Sequence, residues 1–307
     1  MTATSIVAYH AKTAFLFTCN NLKDTVVTGV LFGAFHGRVA ANLSMGPSLS
    51  WTQILLTAPM MLLWSWCNLF LFVLHNQRHP LTVIEDARNK PWRPVPSGRI
   101  TPGQTTVVML CMYPVVLLVA LTVGGLGPCL LEAIFCLGYN ELNGASHPFA
   151  KNLLNGLGFA CFLAGPLEVV TGRSIFSGRG EAAWWLGTMA AAIATTIHTQ
   201  DFRDCEGDKA AGRRTVPLAM GDTNARLVAA AGFCIWTAVS CWYWGVGHIT
   251  WKAGMGVWLA GALIVTNLFR DKSQRVDDFT WKLYPLWLLG LSALPLHALR
   301  GAPQPLG

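Results

Sequence analysis

Charge is what this sequence has least of. Asp, Glu, Lys and Arg together make up 12% of its 307 residues, against 53% hydrophobic. Soluble domains carry about 25% charged residues, so the chain lacks the polar surface to coat a water-soluble globule of its size. It also lacks any Cys-x-x-Cys pair. Its nine cysteines stand singly, mostly inside apolar runs, an odd set that reads as small core residues rather than disulfides or a zinc site. The N-terminal MTATSIVAYHAK has neither a basic start nor a small-residue cleavage site. A cleaved secretory signal is therefore not expected, and the first apolar segment is expected to serve for targeting and stay in place. Long basic tracts are missing too. The net charge of +7 is split into short clusters between apolar runs, which excludes nucleic acid as a partner and follows the pattern of membrane topology.

What is present is long apolar stretches, each of a length to cross a bilayer as a helix. Nine are read, near residues 25–45, 52–76, 104–124, 127–145, 152–172, 181–199, 223–245, 251–269 and 280–298. The fourth is the weakest, interrupted by Glu132. Residues 13–20 are too few to span and are expected to form a short interfacial helix. The expectation is an all-α, multi-pass integral membrane protein, a single helical domain over 1–307, with polar loops at 76–103 and 198–222. Of the 22 basic residues, only Arg38, Arg173, Arg179, Lys252 and Arg300 fall on the side opposite the N-terminus. That bias puts the N-terminus and both polar loops in the cytosol; in a eukaryote the host membrane is expected to be the endoplasmic reticulum.

Against this poverty of charge, HTQDFRDCEGDKAAGRRTVP (198–217) is conspicuous. Asp201, Asp204 and Asp208 are spaced i, i+3, i+7, so on a helix they fall within an arc of about 60°. Three carboxylates on one face repel one another and are costly at a membrane boundary. A divalent cation removes that cost, and an all-oxygen ligand set points to Mg²⁺, which shares its coordination with waters and phosphates. Lys209, Arg213 and Arg214 follow and suit phosphate oxygens that a metal does not reach; an ordinary solvated loop that sets topology is the other reading of these three. A second polar island runs from His75 to Gly103. Asn76 closes an apolar run, Glu85 and Asp86 follow, and NKPWRP places Lys90 and Arg93 on a loop that Pro91 and Pro94 keep out of regular helix. A stiff basic loop suits a diphosphate.

These residues carry a resemblance to the UbiA family of intramembrane prenyltransferases. DFRDCEGDKAAGRRTVP (201–217) matches the family's DxxDxxGDxxxGRxTxP without a gap, and DARNKPWRPVPSG (86–98) matches DxxNxPxRPxxSG. The resemblance implies a helical bundle around a central cavity open to the cytosol, where two Mg²⁺ ions hold an isoprenyl diphosphate, farnesyl or similar. It implies a first metal site at Asn76 and Asp86, with Glu85 beside them, and a second at Asp201, Asp204 and Asp208. Lys90 and Arg93 would bind diphosphate, with Lys209 and Arg213. Tyr139, Lys151 and Asn155 match the family's further substrate contacts near the fourth and fifth helices.

The first motif departs from the family's NDxxDxxxD. NQRHPLTVIED (76–86) is two residues longer, has Gln77 after the Asn and lacks the central Asp. This form resembles a branch, known mainly from fungi, that includes UbiA-type membrane terpene cyclases. The expected chemistry is ionisation of the diphosphate to an allylic cation. Cyclisation by an internal double bond is the leading finish, with prenyl transfer to an aromatic or other lipophilic acceptor as the alternative and a non-catalytic transporter or scaffold as a third class. In a cyclase, two or three aromatics among Trp64, Trp66, Phe70, Phe159, Phe162, Trp184, Trp185 and Trp287 are expected to line the pocket and steady the cation.

Overall fold

The computed structural model describes residues 3–246 and 251–298, and among these there is helix but no strand. Thirteen α-helices follow one another: α1 Ala3–Thr18, α2 Thr28–Arg38, α3 Trp51–Arg78, α4 Pro80–Asn89, α5 Pro102–Val123, α6 Leu126–Asn140, α7 Pro148–Thr171, α8 Glu181–Thr196, α9 Asp201–Ala210, α10 Val216–Met220, α11 Asp222–Tyr243, α12 Trp251–Arg270 and α13 Gln274–Ala293. A π-helical stretch, Leu22–Val27, leads into α2. The helix starts are written locally. Ser50 before α3 and Thr101 before α5 each form a reciprocal capping box with a Gln three residues on, Gln53 and Gln104.

Four helices, α3, α5, α7 and α11, are long and apolar enough to cross a membrane by length and composition. Their outer faces are greasy: on α5, Val107, Leu110, Leu118 and Leu121 are all about 60% exposed. So much bare hydrocarbon on one helix needs lipid as its solvent. The chain is an integral membrane protein.

At the centre stands α7, packed against α2, α3, α6 and α8. Its contact with α2 is a stripe of Gly29, Gly33 and Gly37, one residue per turn. A Cβ at Gly33 would lie 2.9 Å from the Pro166 backbone, and one at Gly37 3.1 Å from Val170. Without a hydrophobic drive between helices in lipid, close backbone approach at small residues supplies the packing. Polar groups in this layer satisfy one another: His36 Nδ1 donates to the Phe32 carbonyl at 2.8 Å, and its Nε2 accepts from Trp185 Nε1 at 2.8 Å.

Each of the nine apolar segments contains helix, with three differences from expectation. The first segment holds only the eleven residues of α2 flanked by π and 3₁₀ turns. The N-terminal helix is longer than 13–20, running from Ala3 to Thr18. The stretches expected as loops are largely helical: α4 lies within 76–103, and α9 and α10 within 198–222. Pro80 explains α4. It sits at the first helical position, where its missing N–H costs nothing, after an extended His79. Beyond α4, residues 90–101 form turns without helix, as Pro91 and Pro94 require.

Candidate functional site

The polar helices α4 and α9 pack on each other across one end of the bundle. Gly207 makes this possible, since a Cβ there would come within 2.6 Å of Asn89 Cγ. Asn89 then donates from Nδ2 to the Asp204 carbonyl oxygen at 3.2 Å, latching the two helices. Beneath them opens a cavity of about 1160 Å³, open solvent at its mouth included, lined by these two helices and by α3, α6 and α7. Its upper wall is polar: Asn76, Glu85, Lys90, Arg93, Tyr139, Lys151, Asn155, Asp201, Asp204, Asp208 and Arg213 all reach it. Its lower wall is apolar, with Leu69, Phe72, Phe135, Leu154, Phe159 and Phe162.

The charges at the top interlock. Arg93 Nη1 donates to both oxygens of Asp86 at 2.9 and 2.8 Å. Arg213 pairs with Glu85 and donates to Thr82 Oγ1 at 2.7 Å. Lys90 Nζ stands between the arms, 3.3 Å from Asp204 Oδ2, 3.5 Å from Glu85 Oε1 and 4.0 Å from Asp86 Oδ1. Lys151 Nζ donates to Asp201 Oδ1 at 2.7 Å. Burial works against ionisation of Glu85, but Lys90 and Arg213 outweigh it and hold its carboxyl below the usual range. On α9 burial wins: Asp201 is raised, and Asp208 is pushed up to about 7.

Which oxygens remain free decides what the site can hold. Asp201 Oδ2 and Asp208 Oδ2 are buried without a hydrogen-bond partner. Two bare carboxylate oxygens aimed at one cavity, beside the half-buried Asp204, fit a hard cation that needs only one or two carboxylates and fills its remaining sites with water and phosphate. Among the described residues no three carboxylate, His or Cys groups yet converge on a point, because protein cations lie between them. The α4 arm is different. The carboxylates of Glu85 and Asp86 are engaged by Arg213, Lys90 and Arg93, and Asn76 Nδ2 donates to Asn140 Oδ1 at 3.1 Å. As arranged here it does not fit a metal, since Arg93 or Lys90 would have to leave first.

Of the residues singled out in the sequence, Asp86 lies just behind the lining, fully buried. Lys209 and Arg214 are exposed outside it, because a helical α9 that turns Asp201, Asp204 and Asp208 inward carries Lys209 to its outer face. Among the eight aromatics named, Phe159 and Phe162 line the cavity; Trp64, Trp185 and Trp287 are core residues and Trp184 is 73% exposed. Sequence reasoning missed Asn20, Asn21, Asp24 and Thr25, which line the mouth from the π-helical stretch and the turn before it. The one signal for them was polar residues at the edge of an apolar run. It also missed Arg203, which pairs with Asp278 at 3.0 Å.

Comparison with known proteins gives the chain a family and a fold. Residues 30–289 match the model of the UbiA prenyltransferase family. The fumagillin beta-trans-bergamotene synthase of Aspergillus fumigatus is 32% identical over 78% of this chain and 81% of its own length. A polyprenyl transferase of Hericium erinaceus is 27% identical over 95% and 98%. Among solved structures, a UbiA homolog from Archaeoglobus fulgidus bound to GPP and Mg²⁺ superposes with a TM-score of 0.55 at 13% identity, covering 92% of this chain and 99% of that one.

Proposed function

We propose, on the premise that the chain belongs to the UbiA prenyltransferase family, that it is a magnesium-dependent membrane terpene cyclase. Members of this kind consume isoprenyl diphosphates, and so does this enzyme, as a cyclase or a prenyltransferase. One observation carries the finer reading: a buried cationic rim and two unpartnered aspartate oxygens share a cavity with an apolar wall of Leu69, Phe72, Phe135, Leu154, Phe159 and Phe162. That is the shape of an amphiphile with a diphosphate head and a hydrocarbon tail.

Asp201, Asp204 and Asp208 would hold Mg²⁺, while Glu85 and Asp86, already engaged by Lys90, Arg93 and Arg213, would keep those cations in place for the diphosphate beside Asn76. Bound there, the metal offsets negative charge developing on the departing diphosphate. Lys90, Arg93, Lys151 and Arg213 orient the head group and share that charge. Tyr139 and Asn155 complete the polar wall. The apolar lower wall folds the tail and excludes water, which would quench the cation, and the rings of Phe159 and Phe162 steady it. An internal double bond then closes the ring. The altered first motif and the first-named synthase support cyclisation. The Hericium transferase, matched over more of the chain, supports a second reading, in which a small lipophilic acceptor captures the cation. The bundle is proposed to cross the membrane nine times as one domain, with the α4–α9 end in the cytosol, in a eukaryote at the endoplasmic reticulum.

The test is to incubate purified membranes with Mg²⁺ and geranyl, farnesyl or geranylgeranyl diphosphate without acceptor. A cyclic hydrocarbon or terpene alcohol is the expected product. Substrate consumed only after an aromatic acceptor is added would replace the cyclase with the transferase.

A further inference from the structure

Far from the metal arms, the cavity wall contains a carboxyl that the ionisation chemistry leaves unused. Glu132 projects from α6 into the apolar half of the cavity, beside Phe135, Cys136 and Phe162. It is 2% exposed, and its Oε2 is buried with no hydrogen-bond partner. No ion pair includes it among the described residues, and its titratable neighbours, Tyr113, Cys129, Cys136 and Cys161, are not cationic. Depth follows from helix geometry. Asn140, which bonds Asn76 at the head-group end, lies eight residues further along α6, about 12 Å by the helical rise. An ionisable group inside a membrane bundle is costly and calls for a partner. Here the described residues supply none; a positively charged hydrocarbon in the cavity would supply one and favour the carboxylate over the neutral acid.

We infer that Glu132 is the base that ends the cyclisation. The inference rests on the cyclase reading above. When the ring closes, positive charge sits on a tertiary carbon in the lower half of the cavity, beyond reach of the diphosphate at the top. A C–H bond next to that carbon breaks, its electron pair becomes the new C=C, and the proton moves to the Glu132 carboxylate. Cation and carboxylate both become neutral. The proton leaves to water as the hydrocarbon departs, so the sum is isoprenyl diphosphate giving cyclic olefin, diphosphate and a proton. Because one fixed carboxyl chooses the hydrogen, it also fixes the position of the double bond.

The experiment compares wild type, Glu132→Gln and Glu132→Asp in membranes with Mg²⁺ and the accepted prenyl diphosphate, measuring diphosphate released and every hydrocarbon or alcohol formed. Glu132→Gln keeps the shape and removes the base. The wild-type olefin per diphosphate released should drop by about 10²-fold, within the range of general-base contributions, with isomeric olefins and water-captured alcohols in its place. Glu132→Asp retracts the carboxyl by one methylene and should shift the double-bond isomer ratio while keeping olefin as the main product; it decides the matter if the Gln variant releases no diphosphate. An unchanged product ratio in both variants overturns the inference and leaves the ionisation reading intact. A wild type that makes only acceptor-linked product also overturns it, and a wild type that releases no diphosphate with any prenyl substrate overturns both.

Discussion

The two acidic arms face one cavity but are not equivalent. On α4 the carboxylate groups of Glu85 and Asp86 are each engaged by Arg93, Lys90 or Arg213. On α9, Asp201 and Asp208 each keep one oxygen buried and bare. The difference teaches that similar residues can be set to opposite tasks by their neighbours. In the function proposed above, the α4 arm would hold cations in position for a phosphate, whereas the α9 arm would keep ligand capacity for a metal. Burying a carboxylate next to an arginine fork is tolerable; burying two oxygens with nothing is tolerated only where something is meant to come.

Breaking the asymmetry at α9 should have the largest effect. Asp201→Asn removes a bare ligand and is expected to lower kcat by about 10³-fold, with the Mg²⁺ requirement shifted to higher concentration. Asp86→Asn leaves the α9 ligands alone and frees Arg93; a loss of about 10–100-fold is expected, of the size seen for supporting partners, mostly in KM, with Mg²⁺ dependence unchanged. Equal Mg²⁺ shifts in both variants would erase the distinction between the arms. The next effect is on pH. Burial pushes Asp208 up to about 7, so below that pH its carboxyl carries a proton that metal must displace. Apparent Mg²⁺ affinity should weaken by about tenfold per unit below pH 7 and level off above it, read from Mg²⁺ titrations of activity at pH 6, 7 and 8; Asp208→Asn should flatten the profile. The smallest effect sharpens the comparison at its hinge. Gly207→Ala drives a methyl into the Asn89 side chain and should cost about 1–3 kcal/mol of stability, visible as a lower Tm with a severalfold drop in activity as the arms part.

Much of this was written in the chain. The i, i+3, i+7 spacing of Asp201, Asp204 and Asp208 placed all three on one wall, and Pro91 and Pro94 kept Lys90 and Arg93 off a helix. Helix α4 was illegible because the face it buries carries Thr82, Glu85 and Asp86 rather than apolar residues, in a ten-residue segment that opens on Pro80 and ends just before Pro91. Pairings such as Lys151 with Asp201 and Arg213 with Glu85 join residues 50 and 128 positions apart, and no local pattern encodes them. Glu132 was visible only as a blemish in an apolar segment. Its meaning depends on which way α6 is rotated, which packing alone decides.

The glycine seam between α2 and α7 has a practical consequence. The Phe162 carbonyl abuts Gly29 while its ring faces the cavity, so the main chain behind that ring cannot recede. One turn earlier on the same helix, Gly158 borders the cavity with open space where a Cβ would go. Trading side chains at these two places is expected to resize the chamber without shifting its frame: trimming position 162 should make room for a longer tail, and filling position 158 should shorten the one that fits.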